Sequence, residues 1–182
     1  MTTLTLRTLT TLLLAAATIV AVSAQKVSHD FDKQADFGAI KTFAFKQGTP
    51  SGNSLVDNRI TSAIAGALAG RGMTRVDADA DVYVVTHLTF DKEKDFTAYS
   101  TGYGPYGWYW GAGWETTEVR VREILMGTLV IDLVDAKKGA VIWRGMGVKE
   151  VNPHAKASKI DKNVNTTVAK ILKNYPPNRA SS

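Results

Sequence analysis

The sequence predicts an α+β fold: an antiparallel β-sheet with two helices packed on one face, in the order β-β-α-β-β-β-α. Five segments alternate apolar and polar residues, the period of a half-buried strand. Two others repeat apolar residues at helical spacing behind capping residues. The run from Glu118 to Asp135 alternates for an unusually long distance before a compact turn, as one arm of a hairpin does. A single sheet covered on one side by both helices is the simplest layered arrangement of these pieces.

The chain has 182 residues. Met1 to Ala24 starts polar, with Arg7 as its one charge, and continues as the apolar "LTTLLLAAATIVAVSA". Val22, Ser23 and Ala24 fit the small-x-small cleavage rule of a secretory signal peptide, so the mature chain is expected to start near Gln25. The apolar run is shorter than the roughly 20 residues a bilayer span requires. No later segment is apolar enough to span, so the mature chain is expected to have no transmembrane segment. Residues 25–182 then form a single α+β domain, long enough for a core of its own.

The first two strands are Val27 to Phe31 and Thr42 to Phe45, separated by a polar bend and followed by the loop "QGTPSGNS". From Ser54 the period changes: Val56, Ile60, Ile64 and Leu68 form an apolar helical stripe. Ser54 and Asp57 resemble a capping box, and the glycines of "GRG" at 70–72 end the helix. "DVYVVTHLTF" is the third strand. The long fourth strand puts Val119, Val121, Leu125, Leu129, Ile131 and Leu133 on one face, with Glu118, Arg120, Arg122, Thr128 and Asp132 opposite. "DAKKG" turns the chain into "AVIWRGMGVKEV", where Gly145 and Gly147 mark a bulge or a close backbone approach. The last helix carries Ile160, Val164, Val168, Ile171 and Leu172, with Ser158 and Asp161 as its capping pair and "YPP" as its stop.

Charge and cysteine content bound the function classes. With 22 basic and 17 acidic residues the formal charge is +5, one less without Arg7. That excess is too small to imply nucleic acid as a partner and allows only a weak attraction to anionic envelope surfaces. The chain has no cysteine, so stability outside the cytoplasm must come from the core alone. The expected location is periplasmic or outer-envelope associated, soluble after signal cleavage.

The segments "DFGAIKTFAF", "DNRITSAIAGALAGRGM" with "DADVYVV", "GTLVIDLVDAKKGAVIWRG" and "VAKILKNYPP" together resemble the domain of unknown function 4136 family of bacterial envelope proteins. The resemblance covers the mature chain, and the "GTLVIDLVDAKKGAVIWRG" hairpin is its most specific part. It implies this fold and an envelope location. Many members look like lipoproteins, but no lipobox cysteine is present here, and the family carries no catalytic residues to transfer.

Catalytic and metal signatures are missing. His29, His87 and His154 lack the spacing that aims two imidazoles at one metal. "DADAD" at 77–81 fails as a calcium loop because Val82 and Leu88 stand where a glycine and an acid are required. No GxSxG, GxGxxG or GxxxxGK[ST] occurs, so neither a nucleophile elbow nor a nucleotide cofactor is expected. Arg120, Arg122 and Arg144 could form a basic patch, or could pair with carboxylates across the strands.

The stretch "YSTGYGPYGWYWGAGW", 99–114, holds seven aromatic residues and five glycines and carries no charge. Tyr99, Tyr103, Tyr106, Trp108, Tyr109, Trp110 and Trp114 are the candidate binding residues, because glycines and Pro105 oppose a regular element that could bury every ring. Contiguous exposed rings mark an interaction surface, and Tyr and Trp suit sugars, peptides and lipid boundaries. Alternatively, the loop folds over the polar sheet face as a lid. The expected function is a non-catalytic periplasmic or envelope-associated binding or accessory module whose partner is an envelope protein, glycan or lipid surface. Two alternatives stand beside it: an enzyme acting on an envelope polymer with Glu115 or Glu118 as acid or base, and a structural component of an envelope assembly.

Overall fold

The computed structural model describes residues 26–100 and 117–177, with side chains over 26–94 and 122–177. Strands β1 (Lys26–Phe31), β2 (Thr42–Thr49), β3 (Thr74–Arg75), β4 (Val82–Ser100), β5 (Thr117–Asp135) and β6 (Val141–Val151) form one sheet in the order β1-β6-β5-β4-β2-β3. Helices α1 (Ser54–Ala69) and α2 (Ala157–Ile171) cover one face, and a 3-10 turn at Leu172–Asn174 follows α2. The α+β class and the two helices match the sequence reading. The sheet, however, is mixed: β4, β5, β6 and β1 are antiparallel, while β2 runs parallel to both β4 and β3.

The parallel pairing has a physical origin in the chain between the strands. β1 and β2 are neighbours in sequence but lie toward opposite ends of the sheet. The segment joining them crosses the helix-side layer and buries Ala35 and Phe37 in the core. After β2, α1 provides the crossover that a parallel return to β4 requires. The two-residue strand β3, which periodicity could not reveal, forms where the chain leaves α1 and its backbone meets β2.

β2 extends to Thr49, past the point where glycine and proline suggest a loop. Gly48 makes this possible, since a Cβ there would stand 2.0 Å from the Thr86 carbonyl oxygen on β4. The register between β2 and β4 shifts between Lys46 and Thr49, so the glycine sits at a bulge. Gly145 answers a similar demand on β6: its missing Cβ would lie 2.4 Å from the Trp143 ring and 2.5 Å from Ile171. The close approach anticipated at this glycine is therefore with its own strand's tryptophan and with α2.

The core lies between sheet and helices. Phe43, Val82, Val84, Ile131, Leu133 and Trp143 meet Ile64 and Leu68 of α1 and Val168 and Ile171 of α2. Each such side chain withdrawn from water contributes on the order of 1.5–3 kcal/mol before conformational entropy is set against it. Tyr175 closes one end, edge-on to Trp143 at 5.4 Å and to Phe37 at 6.0 Å.

Both expected caps move. The N-cap of α1 is Asn53, whose side chain accepts from the Leu55 and Val56 backbone N–H groups, while Asp57 accepts from the Ser51 N–H. The N-cap of α2 is Lys156, without a side-chain bond, and Asp161 instead pairs with Arg59 of α1. Gly72, at φ +82°, supplies the left-handed turn after α1.

Candidate functional site

Three regions carry the residues that the sequence singles out, or that the fold brings together. The first is the β4–β5 hairpin. The two strands pair continuously from Val82 opposite Asp135 to Ser100 opposite Thr117. β6 pairs only as far as Leu125 with Val151, and β2 only as far as His87 with Thr49. Beyond Leu125 the hairpin is a two-stranded arm of eight residues per strand, roughly 25 Å long at strand rise. Tyr99 is placed by its backbone, opposite Glu118. Tyr103, Tyr106, Trp108, Tyr109, Trp110 and Trp114 lie outside the described residues, in the connection between the arm's two strands.

The second region is the sheet face away from the helices. Arg144 donates from Nε and Nη2 to the two carboxylate oxygens of Asp132, both at 2.6 Å. Asp132 is only 3% exposed although no helix covers it. Hydrogen bonds from Arg144, and then its charge, satisfy the carboxylate, and the same contacts hold the Arg144 guanidinium above its ordinary pKa. His87 approaches Asp132 at 3.9 Å through Nε2, while its Nδ1 is 2.9 Å from the Thr49 hydroxyl. Arg122 pairs with Glu150 at 2.8 Å on the root of the arm. Arg120 is placed only by its backbone, opposite Thr97. Arg122 and the Arg144–Asp132 pair thus lie about half of β5 apart, and each arginine faces its own carboxylate across a strand boundary.

Asp81, the last acid of the "DADAD" run, has a structural role. It accepts from the backbone N–H groups of Lys41 and Thr42, each at 2.8 Å, and from the Thr42 hydroxyl at 2.9 Å. These bonds, with the Lys41 N–H first, hold its carboxyl below the ordinary aspartate range. They tie the start of β2 to the start of β4. Among the described residues no three His, Asp or Glu side chains converge as a metal site would require.

The third region was not legible in the sequence. A cleft of about 340 Å³ opens between sheet and helices where the arm leaves the sheet. Leu88, Phe90 and Leu125 line it from the sheet, Ile60 and Val164 from the helices. Its volume falls at the lower end of the range for small-molecule sites. Gly127 and Gly147 also line it, and a Cβ on Gly127 would reach within 3.2 Å of Val151 and 3.4 Å of Phe90. Lys149, on the same wall, donates from Nζ to the Asn163 side-chain oxygen of α2 at 2.7 Å. Burial, and then the positive charges of Lys170 and Lys159, push the Lys149 ammonium below its ordinary pKa. The apolar residues belong to the helical and strand stripes already recognised. Gly127 and Gly147 stand among them on the lining, and spacing alone does not reveal that the stripes leave a cavity there.

Fold and site together define a small α+β module with a projecting hairpin arm and an apolar cleft at its root. The domain of unknown function 4136 family model matches residues 27–177, and the chain belongs to that family. No curated protein matches it. Among solved structures, a PDZ domain protein from Parabacteroides distasonis is similar at TM-score 0.53 and 21% identity, over 85% of this chain and 36% of that one. This chain therefore spans little more than a third of that protein. A PelC dodecamer from Paraburkholderia phytofirmans is similar at TM-score 0.50 and 13% identity, over 82% of this chain and 95% of that one. At these identities the likeness is one of fold. Among the described residues no helix is long and apolar enough to cross a membrane.

Proposed function

We propose that this protein is an exported, non-catalytic binding or accessory module of the cell envelope, and that its contact element is the aromatic stretch 99–114. The observation that carries the reading is the arm: β4 and β5 continue as a pair past every other strand, so the connection between them begins well beyond the packed core. A two-stranded ribbon buries little and is marginally stable by itself. Its length is readily understood if the residues it carries meet a partner. The aromatic and glycine content of the stretch suits an envelope protein, glycan or lipid surface.

Deletion of Gly102 to Gly113 tests this reading. The variant should keep the circular dichroism spectrum and the thermal midpoint of the parent within a few degrees, and should lose the envelope components that the parent captures from its own extract. Capture of the same components by both proteins would refute the role of the stretch.

A second reading, a structural component of an envelope assembly, draws on the dodecameric state of the similar PelC structure. It requires a discrete multimer of this chain in solution, measurable by light scattering after size exclusion; a monomer at all concentrations would remove a homo-oligomeric version of that reading.

A further inference from the structure

We propose that the cleft between sheet and helices binds the acyl chain of a single-chain anionic amphiphile, with the head group held by Lys149. The inference stands apart from the aromatic stretch, because the cleft is built from described residues of the core and of the arm's root.

The first argument is size and lining. An engineered apolar cavity of about 150 Å³ holds a benzene ring. In proportion, 340 Å³ takes roughly a dozen carbon atoms, the length of a medium acyl chain. Leu88, Phe90, Leu125, Ile60 and Val164 present an apolar surface to such a chain from both sides. Gly127 adds no side chain to this lining; a Cβ there would press on Val151 and Phe90, at 3.2 and 3.4 Å, and a longer side chain would take up space in the cleft.

The second argument is charge. Lys149 is half-buried on the cleft wall, and among the described residues no carboxylate lies within ion-pair distance of it. Its ammonium is met by a neutral amide oxygen, and its charged neighbours Lys159 and Lys170 repel it. A partly desolvated cation without an anion is costly. A carboxylate or phosphate head group would supply the missing counter-charge while its tail fills the apolar space. A neutral ligand would leave the cation as it is, and a cationic one would add to the repulsion.

Calorimetric titration of the full protein with octanoate, decanoate and dodecanoate, below their micellar concentrations, tests the proposal, with dodecanol as the uncharged comparison. Binding should be one to one and roughly tenfold tighter for each two-carbon step. Dodecanol should bind about tenfold more weakly than dodecanoate. Lys149→Gln should weaken dodecanoate about tenfold without changing dodecanol, and Lys149→Arg should restore most of the affinity. Gly127→Leu, which fills the cleft, should abolish both; if it fails to fold, the Lys149 pair and the chain-length series decide the matter. Deleting Gly102 to Gly113 should leave dodecanoate binding intact, which separates this inference from the role of the aromatic stretch. Absence of binding, equal affinity for dodecanol and dodecanoate, or indifference to Lys149→Gln would overturn it.

Discussion

Tyr175 shows how a single residue is tied to the core. It is 4% exposed, wedged against Trp143 and Phe37, and burial pushes its phenol up to about 12, Arg71 pulling slightly the other way. The folded value lies above the ordinary one of 10.0, so the neutral phenol's contribution to stability is complete below about pH 10 and is lost as pH rises toward 12. Spectrophotometric titration should show one tyrosine ionising late, together with alkaline unfolding, and Tyr175→Phe should remove that late step. A tyrosine complement that titrates uniformly near 10 would contradict the burial. The sequence placed Tyr175 in a stop signal, where local rules see only "YPP". Its burial depends in part on Phe37, 138 positions earlier in the chain, and no short window of sequence contains both.

At the scale of elements, Arg71 links the two helices. It follows the C-cap of α1 and donates to three carbonyls: Ala67 of its own helix, and Leu172 and Tyr175 at the end of α2, at 2.6–2.7 Å. Carbonyls near helix ends have acceptor capacity to spare, the Leu172 oxygen here also accepting from the Tyr175 N–H, and a planar guanidinium can serve several at once where an ammonium cannot. Arg71→Met should cost about 2–3 kcal/mol in denaturant unfolding, and Arg71→Lys should recover only part of it. A loss below 0.5 kcal/mol for Arg71→Met, the range of an ordinary surface change, would contradict the link. Both helices were legible from their apolar stripes, because a stripe records burial directly. Their caps were less so: Asn53 displaced Ser54, and Asp161 left its supposed cap for Arg59. Capping patterns name residues able to accept a bond, and tertiary geometry chooses among them. In the same way β2 carried the period of a strand but nothing that fixed its direction, which the α1 crossover decides.

Across the whole molecule, the sheet divides the labour between its two faces and its two ends. One face packs the helices; the other neutralises its charges in cross-strand pairs such as Arg144 with Asp132. At one end the turn after Asp135 is closed by hydrogen bonds from the Lys137 and Lys138 N–H groups to the Asp135 carboxylate. At the other end the sheet narrows to the β4–β5 arm, with the cleft at its root. Periodicity made the long strand visible, but not that it would outrun its neighbours, because the lengths of β2 and β6 decide where the arm begins. The aromatic stretch was visible for the opposite reason: it fits no regular period and so stood out by composition alone. The most direct measurement of its role is photo-crosslinking in living cells, with the photoreactive residue placed at Trp110 or, in the β5–β6 turn at the opposite end of β5, at the exposed Lys137. A discrete adduct from Trp110 and none from Lys137 is the expected result; equal labelling from both positions, or an adduct from Lys137 alone, would contradict the assignment of the contact to the arm.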